Sequence, residues 1–361
     1  MRIAISGYYG FGNTGDEAVL SVTVRELRSR LPTVELVVLS ADPPGTAEAY
    51  GVRAVPRAGL VALLNVLSGC RLLLSGGGTL LQDATSWWSP LYYLGVLAGG
   101  LVLAEHIAIY AQGFGPLRSR AIRALARALL DRVDLITLRD EDSKVAIQEL
   151  GVRNPAISVC ADPAFALEPA PPARVEEILA REAVEPGRPR IMVAVRPWRE
   201  GDFLPSLLEG LQEVSARLDA VIVLLPMQRA FDLPLAEELA GAIGPRARVI
   251  RGFYRPEEVM GLVGAMDVLV GLRLHALIFA VATGVVPVGL GYDPKVASLL
   301  REVGEGYYLP VEGLTPEAIS QLVEQAWVGR EESRSRLREA HSRLRERALK
   351  AVELVVDLVR P

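Results

Sequence analysis

Short β-branched and aliphatic runs alternate with longer helical patterns from the start of this chain, and after a proline-rich break the alternation begins again. Residues 2–6, 35–40, 71–75, 107–112 and 135–138 read as buried strands, almost continuous in Val, Ile and Leu. Helical patterns lie between them at 16–30, 118–132 and 142–150. This alternation constrains the fold to parallel sheets, because a parallel neighbour needs a crossover long enough to bring the chain back to the same end. Such sheets hold ligands outside the carboxyl ends of their strands, so chemistry is to be sought in strand-to-helix loops.

The break covers residues 168–189, EPAPPARVEEILAREAVEPGRP, and reads as a linker carrying a short helix. Strand patterns resume at 190–196, 220–226, 247–251, 268–271 and 286–289. With 361 residues, two domains are expected: a Rossmann-like domain over 1–167 and a second over 190–328. Two consecutive halves of this kind resemble the GT-B arrangement, an α/β class with ligands in a cleft between two parallel-sheet domains. Residues 329–361 form a charged amphipathic helix with apolar Leu337, Leu344, Leu349, Val352 and Val356. It is expected to pack back onto the N-terminal domain. Its arginines make peripheral membrane contact the alternative.

Composition removes several function classes. The formal net charge is -4, so no overall basic field recruits nucleic acid. Only two cysteines occur, Cys70 and Cys160, far apart, which argues against a disulfide framework or zinc cluster and for a reducing compartment. The opening MRIAIS runs straight into a strand without the apolar region of a signal peptide. The most apolar stretch, PLYYLGVLAGGLVLA at 90–104, is shorter than the ~20 residues that span a bilayer. It contains Gly95, Gly99 and Gly100 and reads as a buried helix. A cytoplasmic location is expected, with the inner face of the membrane as its membrane-contact variant.

In the first half, SGYYGFGNTGDEA at 6–18 supplies Gly7, Gly10, Gly12 and Gly15 for close backbone approach to a ligand. It lacks the Gly-Lys-Ser/Thr of a Walker loop. Gly12, Asn13 and Thr14 are candidate acceptor contacts, and Asp16 or Glu17 is the candidate base for an acceptor hydroxyl; the competing reading is a turn with a helix cap. A second loop, SGGGTLLQDATSWWSPLYYL at 75–94, offers Gln82, Asp83, Thr85, Ser86 and paired Trp87 and Trp88. Aromatic faces beside hydrogen-bonding groups suit sugar rings, although tryptophans also fill cores. In AQGFGPLRSR at 111–120, Arg118 opens a helix beside free amides, a candidate anion site. Arg139 of LRDEDS reads as an ion-pair partner of Asp140 or Glu141.

In the second half, VAVRPW at 193–198 places Arg196 at a strand end, and Gln228 follows another. The richest segment is GLRLHALIFAVATGVVPVGLGYDPKV at 271–296, in which two neighbouring strand ends deliver Arg273 and His275, then Tyr292, Asp293 and Lys295. The chain has three histidines, and only three of its 39 basic residues are lysines. Arginines, a lysine and helix starts imply a small anion, a phosphate or carboxylate. His275 is suited to proton transfer near neutral pH. Without a DxD-type pair, HExxH or cysteine cluster, metal-independent chemistry without a cofactor is expected.

The ordered set GYYGFGNTGDEA, SGGGTLLQD, GFGPLRS, LRDEDS, ADPAF and GLRLHALIFA…GYDPK resembles the polysaccharide pyruvyl transferase family over roughly residues 3–310, closest to the bacterial branch that modifies secondary cell-wall polymers. The resemblance implies a GT-B-like transferase that uses phosphoenolpyruvate to set a pyruvate ketal across two hydroxyls of a sugar. In that branch the acceptor is N-acetylmannosamine on a lipid-linked or polymeric precursor, and the ketal charge serves surface-layer anchoring. His275 and Lys295 match the family's essential histidine and lysine. Arg118 is the third implied member, with Arg273 beside them and Arg196 as a further donor contact. Two rival readings stay open: a glycosyltransferase using a nucleotide sugar, with Glu302 or Glu305 on the ribose, and a non-catalytic sugar-binding protein.

Overall fold

Every strand pairing among the described residues is parallel, as the alternating pattern requires. The computed structural model describes residues 1–83, 87–197, 203–291, 294–304 and 306–360. It divides into two units, Met1–Leu167 with Leu344–Pro361, and Glu168–Arg343. The helix expected over 329–361 is therefore not a separate body; its two halves belong to different units. Tyr292, Asp293, Thr85, Ser86 and Glu305, singled out above, lie outside the described residues.

Unit 1 runs β1 (Arg2–Ser6), α1 (Thr14–Arg30), β2 (Glu35–Ser40), α2 (Pro43–Tyr50), β3 (Arg53–Pro56), α3 (Leu60–Leu67), β4 (Leu72–Gly76), α4 (Trp88–Leu103), β5 (His106–Gln112), α5 (Arg120–Leu130), β6 (Leu135–Leu138), α6 (Glu141–Leu150) and β7 (Ala156–Val159). The sheet order is β3-β2-β1-β4-β5-β6-β7. Strands β1, β4 and β6 are buried almost throughout, because helices cover both sheet faces. The pattern missed β3 and β7, which sit at the sheet edges and are half-exposed, so RAVP and AISV lack the buried apolar signature.

Unit 2 runs α7 (Pro172–Arg181), β8 (Arg190–Ala194), α8 (Leu204–Leu218), β9 (Val221–Leu224), α9 (Arg229–Ile243), β10 (Ala247–Val249), α10 (Pro256–Gly264), β11 (Val268–Gly271), α11 (Leu274–Thr283), β12 (Val286–Gly291), α12 (Pro294–Val303), β13 (Tyr308–Pro310) and α13 (Pro316–Val328). Its order is β10-β9-β8-β11-β12-β13. In both sheets the first strand is central and the order reverses beside it, between β1 and β4 and between β8 and β11. Crossovers leave in opposite directions at such a switch point and open a crevice at the carboxyl ends.

The last helix, α14 (Arg330–Val359), contributes Leu344 onward to unit 1. Ala351, Val352, Val355, Val356 and Val359 are buried in the same cluster as Ile3, Ile5, Leu20, Val24, Leu27, Leu36 and Val38. The apolar stripe of this helix is thus core. The membrane contact considered for it has no apolar face left on which to act.

The apolar segment at 90–104 is α4, packed through Tyr93, Leu94, Val96 and Leu97. Gly100 admits Leu73, which lies only 2.4 Å from where a Cβ would stand. No helix among the described residues is long and apolar enough to cross a membrane.

Because Leu344 is fully buried, Leu344→Ala is expected to cost about 2–5 kcal/mol of stability in chemical denaturation. The exposed neighbour Glu346, changed to Ala, is expected to shift stability by less than about 0.5 kcal/mol. Equal effects for the two would contradict the packing of α14.

Candidate active site

Parallel pairing collects the singled-out residues of unit 2 on one sheet edge. Gly271 is in register with Ala194 on one side and with Gly289 on the other, so β8 and β11 end together and β12 runs on to Gly291 beside them. The backbone N–H groups of Leu272 and Arg273 both donate to Ala194 O, at 3.0 and 3.4 Å, which pins the Arg273 turn beside the segment carrying Arg196. Across the edge the order is Gln228 after β9, Arg196 after β8, Arg273 and His275 after β11, and Lys295 in the first turn of α12. Arg196, Arg273, His275 and Lys295 are all partly exposed, as ligand contacts must be.

Arg273 is the N-cap residue of α11 and makes no side-chain cap to the opening amides of this helix. One Arg273 Nη donates to Asp232 Oδ1, and the pair is deeply buried, at 11% and 1% side-chain exposure. Asp232 Oδ2 accepts from the backbone N–H of Gln228 at 2.8 Å. Arg273 Nε is buried without a hydrogen-bond partner among the described residues. Asp232 therefore holds the arginine at a fixed angle while leaving part of its fork available. Sequence reading passed over Asp232, although an acid one helical turn after Gln228 was the available signal.

In unit 1 the loops are held by their own acids. Asn13 caps α1 by accepting from Gly15 N at 3.1 Å. Thr14 is the first residue of that helix. Glu17 accepts from Gly10 N at 2.8 Å and from the Tyr50 hydroxyl at 2.7 Å, bracing the glycine turn; burial pushes its pKa up against the lowering effect of both bonds. Asp16 is buried at 6% exposure. Its Oδ1 lies 2.7 Å from where a Cβ on Gly78 would stand. The space beside Gly76 and Gly77 is likewise taken, by Tyr110 O and the Tyr9 hydroxyl. These glycines serve close packing of the protein on itself, whereas Gly12, with φ +66, faces open space.

Segments 78–83 and 113–119 run side by side. Gly113 N donates to Gly78 O at 2.9 Å, and a parallel bridge joins Leu81 to Phe114. Asp83 closes the pair: both of its oxygens accept from Arg118 N, at 2.9 and 2.8 Å, and Oδ2 also accepts from Ser119 N at 2.9 Å. Its carboxylate is a loop clamp. Gln82 is half-buried in the same strip. Arg118 does not open the helix: Ser119 is the N-cap of α5, and the exposed Arg118 side chain stands just before it.

Arg139 is ion-paired as expected, with Asp140 at 3.2 Å and also with Asp162 at 3.4 Å. Trp87 and Trp88 are not core residues. They are 56% and 64% exposed, with ring centroids 3.9 Å apart. Both cysteines are buried, and burial pushes the Cys160 thiol up to about 11, out of range for a nucleophile at neutral pH. Among the described residues no group of three or more His, Cys, Asp or Glu side chains gathers as a metal site.

Two doubly wound parallel sheets of this order define an α/β protein of the GT-B type. A glycosyltransferase from Rickettsia africae ESF-5 shares the fold at 10% identity, with 99% of this chain and 98% of that one covered and a TM-score of 0.63. A putative UDP-N-acetylglucosamine 2-epimerase from Listeria monocytogenes matches at 13% identity, 97% and 94% coverage and a TM-score of 0.65. The ADP-heptose lipopolysaccharide heptosyltransferase II of E. coli matches at 15% identity, 92% and 100% coverage and a TM-score of 0.52. No curated protein matches the chain in sequence. The chain belongs to the polysaccharide pyruvyl transferase family, whose sequence profile matches residues 13–294.

Two measurements test the site's construction. Asp232→Ala leaves the Arg273 guanidinium buried without its counter-ion and is expected to cost about 3–5 kcal/mol in denaturant titrations. The double variant Asp232→Ala/Arg273→Leu is expected to recover much of that loss, and equal instability of both would refute the pairing. Glu17 has a folded pKa raised above its unfolded value, so its stabilising contribution is complete below the unfolded value near 4.5 and is lost as pH rises through the folded one. Glu17→Gln is therefore expected to gain stability relative to the parent between acidic and neutral pH. A difference that is flat with pH would show that Glu17 is not strained by burial.

Proposed function

We propose that this enzyme transfers the three-carbon unit of phosphoenolpyruvate to a sugar of a polysaccharide or lipid-linked precursor and closes a pyruvate ketal across two hydroxyls. N-acetylmannosamine in a secondary cell-wall polymer, used in surface-layer anchoring, is the acceptor and role that the sequence resemblance favours. The observation that carries the reading is the single edge bearing Arg196, Arg273, His275 and Lys295, with Arg273 Nε buried and without a hydrogen-bond partner among the described residues. The donor carries a phosphate and a carboxylate. A forked guanidinium, an ammonium and the start of α11 match those two anions.

His275 protonates the methylene carbon of the donor, which becomes a methyl group, and the central carbon takes on oxocarbenium character. A sugar hydroxyl adds there and gives up its proton, with Asp16 proposed as base. The C–O bond to phosphate then breaks, inorganic phosphate departs, and the second hydroxyl adds to the same carbon as its own proton leaves. Arg273, Lys295 and Arg196 hold the donor's anions and offset charge as phosphate departs. Arg118 is proposed as a further anion-binding arginine in unit 1. Gly12, Asn13, Thr14, Gln82 and Trp87 are proposed on the acceptor side, with Asp83 acting through the loop it clamps. The chemistry needs no resident cofactor or metal.

Nucleotide sugars are the competing donor class, since the heptosyltransferase sharing the fold is named for ADP-heptose. The backbone carbonyl of Glu302, the residue first considered for a ribose, accepts from Arg343. A thermal-shift panel of phosphoenolpyruvate against nucleotide sugars separates the two classes, and stabilisation by nucleotide sugars alone would overturn the proposal.

For the acid role, His275→Ala is expected to keep donor binding and lose turnover by about 10²–10⁴-fold, read as phosphate release with a sugar acceptor. Near-parental turnover sinks that assignment.

A further inference from the structure

At the carboxyl edge of unit 1 a cation sits in a setting built from aromatic rings. Arg57 follows β3, and its guanidinium lies 4.1 Å from the centroid of the Tyr92 ring, 4.9 Å from that of Phe11 and 5.5 Å from that of Tyr93. Phe11 is in turn stacked on Tyr8, with centroids 4.1 Å apart and planes 9° from parallel. The backbone is fixed as well. Arg57 N donates to Ser40 O at 3.0 Å, and Arg57 O accepts from the Tyr92 hydroxyl at 2.9 Å. The turn after β1, the end of β3 and the first half of α4 thus converge on one side chain.

What the rings do not supply is a counter-charge. Arg53 pairs with Glu35 at 3.2 Å and Arg71 pairs with Glu105, whereas no carboxylate among the described residues pairs with Arg57. Rings pack against the plane of a guanidinium and leave its N–H edge for hydrogen-bond acceptors. Arg57 is half-buried, so it is held in place and remains partly open. A second group beside it lacks a partner. The Tyr93 hydroxyl is buried, on a residue 1% exposed, and has no hydrogen-bond partner among the described residues. Burial pushes its pKa up, the Arg57 cation works against that rise, and the Asp16 carboxylate adds to it. Arg57 and the acid proposed as base are therefore both within electrostatic reach of one hydroxyl.

The place is one where ligands are expected. Strands β3, β2, β1 and β4 are neighbours, and the segments at their carboxyl ends carry Arg57, Ser40, the glycine turn and Gly76–Gly78. The strand order reverses between β1 and β4, where a parallel sheet opens a crevice. Gly12, next to Phe11, faces open space. A neutral sugar asks only for ring faces and hydrogen-bonding groups. A fixed arginine without an acid is matched instead to an anion, and a phosphate accepts two parallel N–H groups from its fork. The donor's phosphate and carboxylate are assigned to Arg196, Arg273 and Lys295, so an anion at Arg57 has to arrive on the acceptor.

We propose that Arg57 binds a phosphate carried by the acceptor beside the sugar that receives the ketal. The acceptor is then a sugar phosphate or a precursor linked through diphosphate, and not a finished neutral polysaccharide. The inference rests on the pyruvyl-transfer reading for the identity of the sugar. It also places the reaction before the step that moves the sugar from its phosphate to a growing polymer, because that transfer separates the sugar from the group that Arg57 recognises.

Calorimetric titration of the full chain without phosphoenolpyruvate tests the proposal apart from the chemistry. The ligands are a disaccharide containing N-acetylmannosamine as its methyl glycoside, as its anomeric phosphate, and as its diphosphate ester with a short alkyl chain. The parent is expected to bind a phosphorylated form about ten- to a hundredfold more tightly than the methyl glycoside, the scale of charged hydrogen bonds. Tight binding of both phosphorylated forms identifies a sugar phosphate, and of the diester alone a carrier-linked precursor. Arg57→Met keeps an unbranched chain on the rings and is expected to abolish the preference. Arg57→Lys keeps the charge without the fork and is expected to retain part of it; should Arg57→Met unfold, the lysine variant decides. No preference in the parent, or an undiminished preference in the variants, overturns the proposal. So does loss of phosphoenolpyruvate binding in Arg57→Met at an unchanged melting temperature, which would make Arg57 a donor contact. An Arg57-dependent preference in a parent that releases no phosphate from phosphoenolpyruvate would strike the pyruvyl-transfer reading and leave the anion site standing.

Discussion

Parallel pairing around β8 is the constraint on which the active edge depends. Antiparallel neighbours would send successive loops to opposite ends of the sheet, whereas β9, β8, β11 and β12 all run the same way. Four separate stretches of sequence, from Arg196 to Lys295, thus deliver their side chains to one line. The switch of order between β8 and β11 falls where Arg196 and Arg273 emerge, which is where crossovers diverge and leave room for a ligand. Unit 1 obeys the same geometry between β1 and β4 but fills the place differently, with glycine turns closed on Asp16, Tyr9 and Tyr110.

That difference shows how the protein manages charge. Within each unit, acids in the strand-end loops are engaged internally: Asp232 with Arg273 in unit 2, and in unit 1 Asp83 with the amides before α5, Glu17 with the glycine turn, Asp140 and Asp162 with Arg139. Each of these bonds fixes a loop whose backbone must hold a defined shape. A buried pair such as Asp232–Arg273 adds little net stability over an apolar pair, but it sets the direction of the guanidinium, and direction is what a two-anion substrate requires.

The strands buried on both faces were legible because burial on both faces writes an unbroken apolar run; β1, β2, β6 and β11 fall at their expected residues. Strands β3, β7 and β13 were not, since an edge strand exposes half its length and RAVP or AISV carries no such run. Among site residues, Arg273, His275 and Lys295 could be read because their types are scarce and their positions follow strand ends. Asp232 had only its place one turn after Gln228 to mark it; its partner is 41 residues away, and the pairing of β8 with β9 and β11 brings the two together. The glycine runs carry a related ambiguity. Sequence shows that backbone comes close to something, and only coordinates show that the neighbour of Gly78 is Asp16 rather than a ligand.

The same limit governs the amphipathic segments. In sequence, α14 with its many arginines and α3 with none are opposite cases, and the charged one looks the better candidate for a lipid surface. A patterned stripe states only that one face will be covered. In α14 the covering is the core of unit 1, where Val352, Val355 and Val356 meet β1 and β2 residues. In α3 one face is covered by that unit's other apolar cluster, and the opposite face is still Leu60, Val61 and Leu64.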